Sequence, residues 1–262
     1  MIKLIATDID GTILPEGTFD LNPEYFEVIR ALKEKGILFV AASGRHYTSM
    51  RKLFEPVAED IIFMSGNGSC VRCRDKTMDV RALEYDLYQD ALKEMRRYYP
   101  DEIMTDRDEC VYTDSSDEGL YEWVRDGYRV DLRSCEDVAD VEAPILKTAM
   151  RTKSDPVPIA DEIRKAIGGR ARVMAAGACW VDIVSHEADK GKSLLSIQKL
   201  MGILPEETAA FGDNDNDIGM LRQAAQGYAV ANAREDVKSA AYQVIGPMTE
   251  DAVLGVMKSF IT

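Results

Sequence analysis

A chain of 262 residues, 46% of them hydrophobic, can bury a full core as one large domain or two modest ones. Its net charge of −14 argues against nucleic acid and anionic membranes as general partners, but not against small anions at a site whose local field a divalent cation has inverted. No apolar run approaches the roughly 18 residues of a membrane span; this, five cysteines and no leader-like segment before the first apolar run lead us to expect a soluble, cytoplasmic protein with reduced thiols.

The first third alternates strand and helix. "KLIAT" (3–7) is an apolar run of the buried-strand kind. Asn22-Pro23 then reads as a helix start, Phe26, Ile29 and Leu32 recur at helical spacing, and Gly36 closes the helix. "ILFVAA" (37–42) is a second strand, followed by "SGR" and a helix near residues 47–54; "DIIFM" (60–64) is a third, followed by "SGNGS". This order predicts parallel strands joined by right-handed crossovers.

The middle differs. Helices near 85–98 and 155–167 are mixed with short strand candidates, "CVYT", "YRVDL", "ILKTAM", "ARVMAA" and "CWVDIV", which suit an α+β insert with an antiparallel sheet. The first rhythm returns with a helix over 190–201, a strand "TAAF", the loop "GDNDND", a helix over 218–225 and final strands "GYAVA" and "YQVIG". The expected organisation is an α/β, Rossmann-like parallel-sheet core over 1–82 and 187–262, interrupted by an α+β cap domain over 83–186, with the two crossings suited to a hinge.

Parallel sheets bind ligands beyond the carboxyl ends of their strands. Here those ends carry "DIDGT", "SGR", "SGNG" and "GDNDND". Asp8 and Asp10 are costly to desolvate so close together, and a cation is the first candidate to compensate. Two similar-looking patterns fail. "GKS" at 191–193 lacks the P-loop glycine five residues earlier, where His186 stands. "DNDND" lacks the EF-hand glycine and glutamate, having Ile218 and Ala224 instead. Cys70 and Cys73 form a C-x-x-C without a second Cys/His pair, and we read them as structural. His46 and His186 fall in no motif and are also read as structural.

A carboxylate can attack phosphorus and split hydrolysis into two easier steps through an aspartyl-phosphate. "DIDGT", "SGR", the lysine of "DKGKS" and "GDNDND", in this order and spacing, resemble the haloacid dehalogenase (HAD) superfamily, most of all its Cof-type sugar phosphatases with a large cap inserted after the third core strand. The second motif departs mildly, Ser43 standing where the family has threonine. The resemblance implies Asp8 as nucleophile and Asp10 as acid and base. Ser43 and Lys190 would bind the phosphoryl group, Lys190 as a fixed positive charge that the start of a helix disfavours. Mg²⁺ would be held by the Asp8 carboxylate, the Asp10 carbonyl and Asp213, with Asp217 supporting from behind and Asn216 beside it. Gly11, Gly44, Arg45, Asn67 and Asn216 would border the phosphate. Bland readings stand beside these: Ser43 and Asp217 as helix caps, Asn67 as a turn residue, Lys190 as a surface charge with Lys192 its competitor, and Arg45 as an ion-pair partner inside the core.

The resemblance thus implies a Mg²⁺-dependent phosphomonoester hydrolase acting on a small phosphorylated metabolite, a sugar phosphate being the expected class. A phosphomutase similar to phosphomannomutases shares the chemistry, and a non-catalytic binding protein could share the fold. The substrate and the oligomeric state are not legible.

Overall fold

The computed structural model describes residues 1–74, 76–176 and 178–261. It divides into two compact units, one of Met1–Arg45, Met50–Asp79 and Asp189–Thr262, the other of His46–Ser49 and Val80–Ala188.

The first unit is built on an eight-stranded sheet. Its elements are β1 (Leu4–Asp8), α1 (Glu24–Glu34), β2 (Leu38–Ala42), α2 (Tyr47–Leu53, whose residues before Met50 belong to the other unit), β3 (Ile62–Ser65), β4 (Cys70–Cys73) and β5 (Lys76–Val80). After the second unit's α3 (Tyr85–Met95), β6 (Ile103–Asp106), β7 (Val111–Thr113), α4 (Glu118–Glu122), β8 (Leu132–Ser134), β9 (Lys147–Arg151), α5 (Pro156–Ala166), β10 (Arg172–Ala176) and β11 (Trp180–Val184), it resumes. There follow α6 (Lys190–Met201), β12 (Thr208–Gly212), α7 (Ile218–Gln223), β13 (Gln226–Ala229), α8 (Glu235–Ala240), β14 (Gln243–Val244) and α9 (Ala252–Ser259). The sheet order is β14-β13-β12-β1-β2-β3-β4-β5.

β1 is central and every residue of it is buried. It pairs in parallel with β12 (Leu4 beside Thr208) and β2 (Leu4 beside Leu38), which is why its sequence is an unbroken apolar run and not an alternating one. Helix α1 buries Tyr25, Val28, Ile29 and Leu32, one stripe at helical spacing. Truncating such a side chain to alanine costs about 2–5 kcal/mol. Because β1, β2, β3 and β12 are parallel, their carboxyl ends share one edge, and the four loops flagged in the sequence leave from it. β4 turns back antiparallel on β3 and extends the sheet with β5, an addition the βαβαβ pattern does not announce. The turn between β3 and β4 puts Gly66, Asn67 and Gly68 at positive φ. At Gly68 a side chain is also excluded by space, since a Cβ would lie 2.6 Å from the Asp189 carbonyl oxygen.

The second unit has a six-stranded sheet of order β10-β11-β9-β6-β7-β8. Its pairs are antiparallel except β7 with β8, which run parallel, against the expectation of a wholly antiparallel sheet. One face packs Ile103, Met150, Val181 and Ile183 against Leu87, Tyr88 and Met95 of α3 and Ile159 and Ile163 of α5. The other packs Met104, Ala149 and Trp180 against Leu120 of α4 and Val124 of the π-helical turn that follows it. "YRVDL" is mostly not strand: that π turn runs to Gly127, Tyr128 N–H closes it on the Trp123 carbonyl, and the strand starts only at Leu132.

None of the five cysteines is in a disulfide; Cys70 is buried and Cys73 half-buried on β4. No helix among the described residues is long and apolar enough to cross a membrane.

Candidate active site

Asp8 ends β1, and its carboxylate is almost fully buried. Asp189 caps α6 by accepting from Lys192 N–H, which leaves Lys190 at the first helical position, fully buried. Its Nζ donates to Asp8 Oδ1 at 2.5 Å and to Asp217 Oδ1 at 2.6 Å. The ammonium tolerates the helix start because two carboxylates outweigh the dipole. Lys192, the competing lysine, is exposed.

Asp217 is fully buried, and its Oδ2 accepts from the N–H groups of Asp213 and Asn214, both at 3.0 Å. Both its oxygens are therefore engaged, and it ties the "GDNDND" loop to Lys190. Asp213 accepts from Thr12 Oγ1 at 3.0 Å. Gly11, at φ +87°, lies directly against it: a Cβ there would fall 2.3 Å from Asp213 Oδ2. Gly11 thus makes room for Asp213.

Three carboxylates, of Asp8, Asp213 and Asp217, bring oxygens within 4.8 Å of one another. One ammonium cannot neutralise three. Burial, then the charge of Asp217, push the Asp8 carboxyl well above the usual carboxylate range, with Lys190 opposing. Burial and Asp217 also raise Asp213. Burial would lower Lys190, but Asp217 and Asp8 hold it above its ordinary value. Asp8 Oδ2 is buried with no hydrogen-bond partner among the described residues. An all-oxygen, over-negative set with one orphaned carboxylate oxygen fits a hard divalent cation.

Asp10 lies beyond the end of β1, so strand alternation does not set its direction. Its carboxylate is gripped by Arg45, Nε to Oδ2 at 2.8 Å and Nη2 to Oδ1 at 2.6 Å, and stands outside the group of three. Arg45 also donates to the Thr18 carbonyl and lies over the Phe19 ring, 4.6 Å from its centroid, while its Nη1 is buried without a partner among the described residues. Ser43 Oγ accepts from Arg45 N–H at 3.0 Å and reaches Asp10 Oδ2 at 3.4 Å. The ion-pair reading of Arg45 is thus present in the geometry, whereas Ser43 closes a local turn onto Arg45 N–H and does not cap α2, which begins at Tyr47.

Asn216 Nδ2 donates to Asn67 Oδ1 at 2.8 Å, and Asn216 Oδ1 is buried without a partner among the described residues. Gly44 lies beside this pair, where a Cβ would come 3.1 Å from Asn67 Oδ1. The loops are stitched together by Ser43 N–H to the Met64 carbonyl and Asn67 N–H to the Ser43 carbonyl, both 2.9 Å. Two supports have no sequence signal: Asn232, which donates to the Gly11 carbonyl at 2.7 Å, and Thr18, which holds Arg45 through its backbone.

A family model described as haloacid dehalogenase-like hydrolase matches residues 5–257. The chain belongs to this family of enzymes. It is 28% identical over 257 residues, 98% of this chain and 95% of the relative, to the 5-amino-6-(5-phospho-D-ribitylamino)uracil phosphatase YbjI of Escherichia coli. It is 29% identical over 251 residues, 91% of this chain and 88% of the relative, to a phosphoglycolate phosphatase of Methanospirillum hungatei. A crystal structure from Eubacterium rectale matches with a TM-score of 0.90 and 32% identity over 99% of both chains. A structure described as a HAD subclass IIB sugar phosphatase, 23% identical over 99% of this chain and all of its own, has a TM-score of 0.77 and shares the fold.

Proposed function

We propose that this hydrolase cleaves phosphomonoesters of small metabolites, sugar phosphates foremost, with Mg²⁺ and through an aspartyl-phosphate on Asp8. The observation that carries the reading is Asp8 itself, one oxygen fixed by Lys190 and the other buried and unpartnered. Its named relatives are phosphatases.

The side chains divide the work. Asp8 Oδ2 attacks phosphorus as the bond from phosphorus to the ester oxygen breaks, and Asp10 delivers a proton to that oxygen. Asp10 then takes a proton from the water that attacks phosphorus in the second step, which frees Asp8 and releases phosphate. Lys190 holds Asp8 in place and offsets charge. Ser43 and Asn216, with Gly44 and Asn67 shaping the loop, offer hydrogen bonds to phosphoryl oxygens. Asp8, the Asp10 carbonyl and Asp213 would hold the cation, braced by Asp217. When bound, the cation neutralises the charge that otherwise keeps a phosphate from a carboxylate. The Asp10 oxygens are both occupied by Arg45, so proton transfer requires Asp10 to turn from Arg45 toward the ester.

Phosphate release from hexose, pentose and aryl phosphates, measured with Mg²⁺ and with EDTA, tests the reading. Turnover with Mg²⁺ that EDTA removes is expected. No release from any ester by folded protein with Mg²⁺ present would overturn it.

A further inference from the structure

We infer that Asn232 is a positioning residue for the cation: it pins the peptide that follows Gly11, and its segment ties the Asp10 loop to the Asp213 loop. This rests on the cation reading of the site and adds to it a residue outside every motif. All the groups involved lie in the first unit.

Asn232 stands on the segment that leaves the carboxyl end of β13. It is exposed, yet both ends of its amide are engaged. Nδ2 donates to the Gly11 carbonyl at 2.7 Å, and Oδ1 accepts from Met248 N–H at 2.9 Å. A carbonyl only accepts and a backbone N–H only donates, so the two partners set which way the amide points. Its neighbour Ala231 is anchored in turn, N–H to the Gly246 carbonyl at 3.2 Å. An exposed amide finds water for both ends, so two fixed bonds add little net stability. Their consequence lies in what they hold.

They hold the least restrained point of the catalytic loop. Gly11 has φ +87° and no Cβ to limit rotation. The peptide before it is fixed by Gly11 N–H, which donates to the Leu14 carbonyl at 2.8 Å. A trans peptide sets its carbonyl opposite its N–H, so this bond aims the Asp10 carbonyl, the proposed cation ligand. The peptide after Gly11 has Thr12 N–H on the Ile9 carbonyl at 3.2 Å, and Asn232 supplies the shorter tie. Beyond that peptide, Thr12 Oγ1 donates to Asp213 at 3.0 Å.

The same segment reaches the second loop. Val230 N–H donates to the Gly212 carbonyl at 3.3 Å and Arg234 N–H to the Asp213 carbonyl at 3.1 Å. Residues 230–234 therefore touch both loops that carry the proposed ligands. A cation held by two loops loses affinity to the ordering of both unless they are already fixed.

The test measures Mg²⁺ binding by calorimetry to the full chain, freed of metal with EDTA and desalted. Wild type, Asn232→Ala, Asn232→Ser and Val237→Ala are compared, each well below its melting temperature. Val237 is buried in α8, and its truncation lowers stability without removing a bond to Gly11. The Kd for Mg²⁺ is expected to rise about tenfold or more in both Asn232 variants, the low end of what a lost support of a metal ligand costs. In Val237→Ala it should stay within about twofold of wild type, as for independent sites. A lowered melting temperature with an unchanged Kd in the Asn232 variants would make Asn232 merely structural and overturn the inference. An equal loss in Val237→Ala would show that affinity only follows stability, and would overturn it too. Should Asn232→Ala not fold, Asn232→Ser decides. Should wild type bind no Mg²⁺, the cation reading fails and the inference falls with it; a wild type that binds, matched by the Asn232 variants, overturns the inference alone.

Discussion

Arg45 holds Asp10 by two parallel hydrogen bonds, Nε to Oδ2 and Nη2 to Oδ1, and is itself fixed by the Thr18 carbonyl and the Phe19 ring. A planar guanidinium does this and a lysine ammonium does not. Arg45 therefore sets where the proposed proton carrier rests. Replacing Arg45 by Lys or Met is expected to lower kcat about 10–100-fold, part of the 10²–10⁴ that acid–base catalysis supplies. The loss should be largest for esters with poor leaving groups, which most need the proton. Equal losses for aryl and alkyl phosphates in steady-state kinetics would contradict this role.

Lys190 Nζ contacts both Asp8 and Asp217. Lys190→Met strands two buried carboxylates, and a loss of about 3–5 kcal/mol is expected from urea unfolding. Asp8→Asn in the same chain should recover part of that loss. A double-mutant cycle with strictly additive effects would show that the pair is not coupled.

Asp213 groups with Asp8 and Asp217, and its carboxylate accepts from Thr12 Oγ1. Mg²⁺ should raise the melting temperature of the wild type, since a ligand of the folded state stabilises it by mass action. Asp213→Asn should remove most of that rise. An undiminished rise would place the cation elsewhere.

His46 is buried between Thr48 and the Arg107 carbonyl. That carbonyl can only accept, so Nε2 carries the proton, and Nδ1 accepts from Thr48 N–H. Burial lowers its pKa, against the pull of Asp106. A depressed folded value means that the unfolded chain takes up the proton first as pH falls. The contribution is present above the unfolded value of about 6.5 and is lost on going below it. Wild type should therefore lose more stability than His46→Gln between pH 7.5 and 5 in urea titrations, and parallel curves would contradict this.

Much of the fold was legible because its core strands are unbroken apolar runs and its helices carry one apolar stripe. "KLIAT", "ILFVAA" and the helix over 190–201 match β1, β2 and α6 closely. Where local pattern and tertiary pairing part, the reading fails. β5 alternates weakly at a sheet edge, and "YRVDL" is claimed by the π turn before it. β6 and α9 are short and are fixed by β9 and α1, distant in sequence, and α8 has only six residues in which to show a stripe. At the site, Asp8, Lys190, Asp213 and Asp217 do converge, and Lys190 shows why its poor helix position was informative. The direction of Asp10 was not legible. It depends on Arg45, thirty-five residues away, and not on strand alternation.

The most direct test of the central claim is to trap the covalent intermediate. The enzyme is mixed with Mg²⁺ and a turned-over ester, quenched, and treated with borohydride, which reduces an acyl phosphate to an alcohol and turns aspartate into homoserine. Peptide mapping is predicted to find homoserine at position 8 and nowhere else. Turnover that proceeds with no homoserine at position 8, or with homoserine at another aspartate, would contradict the account.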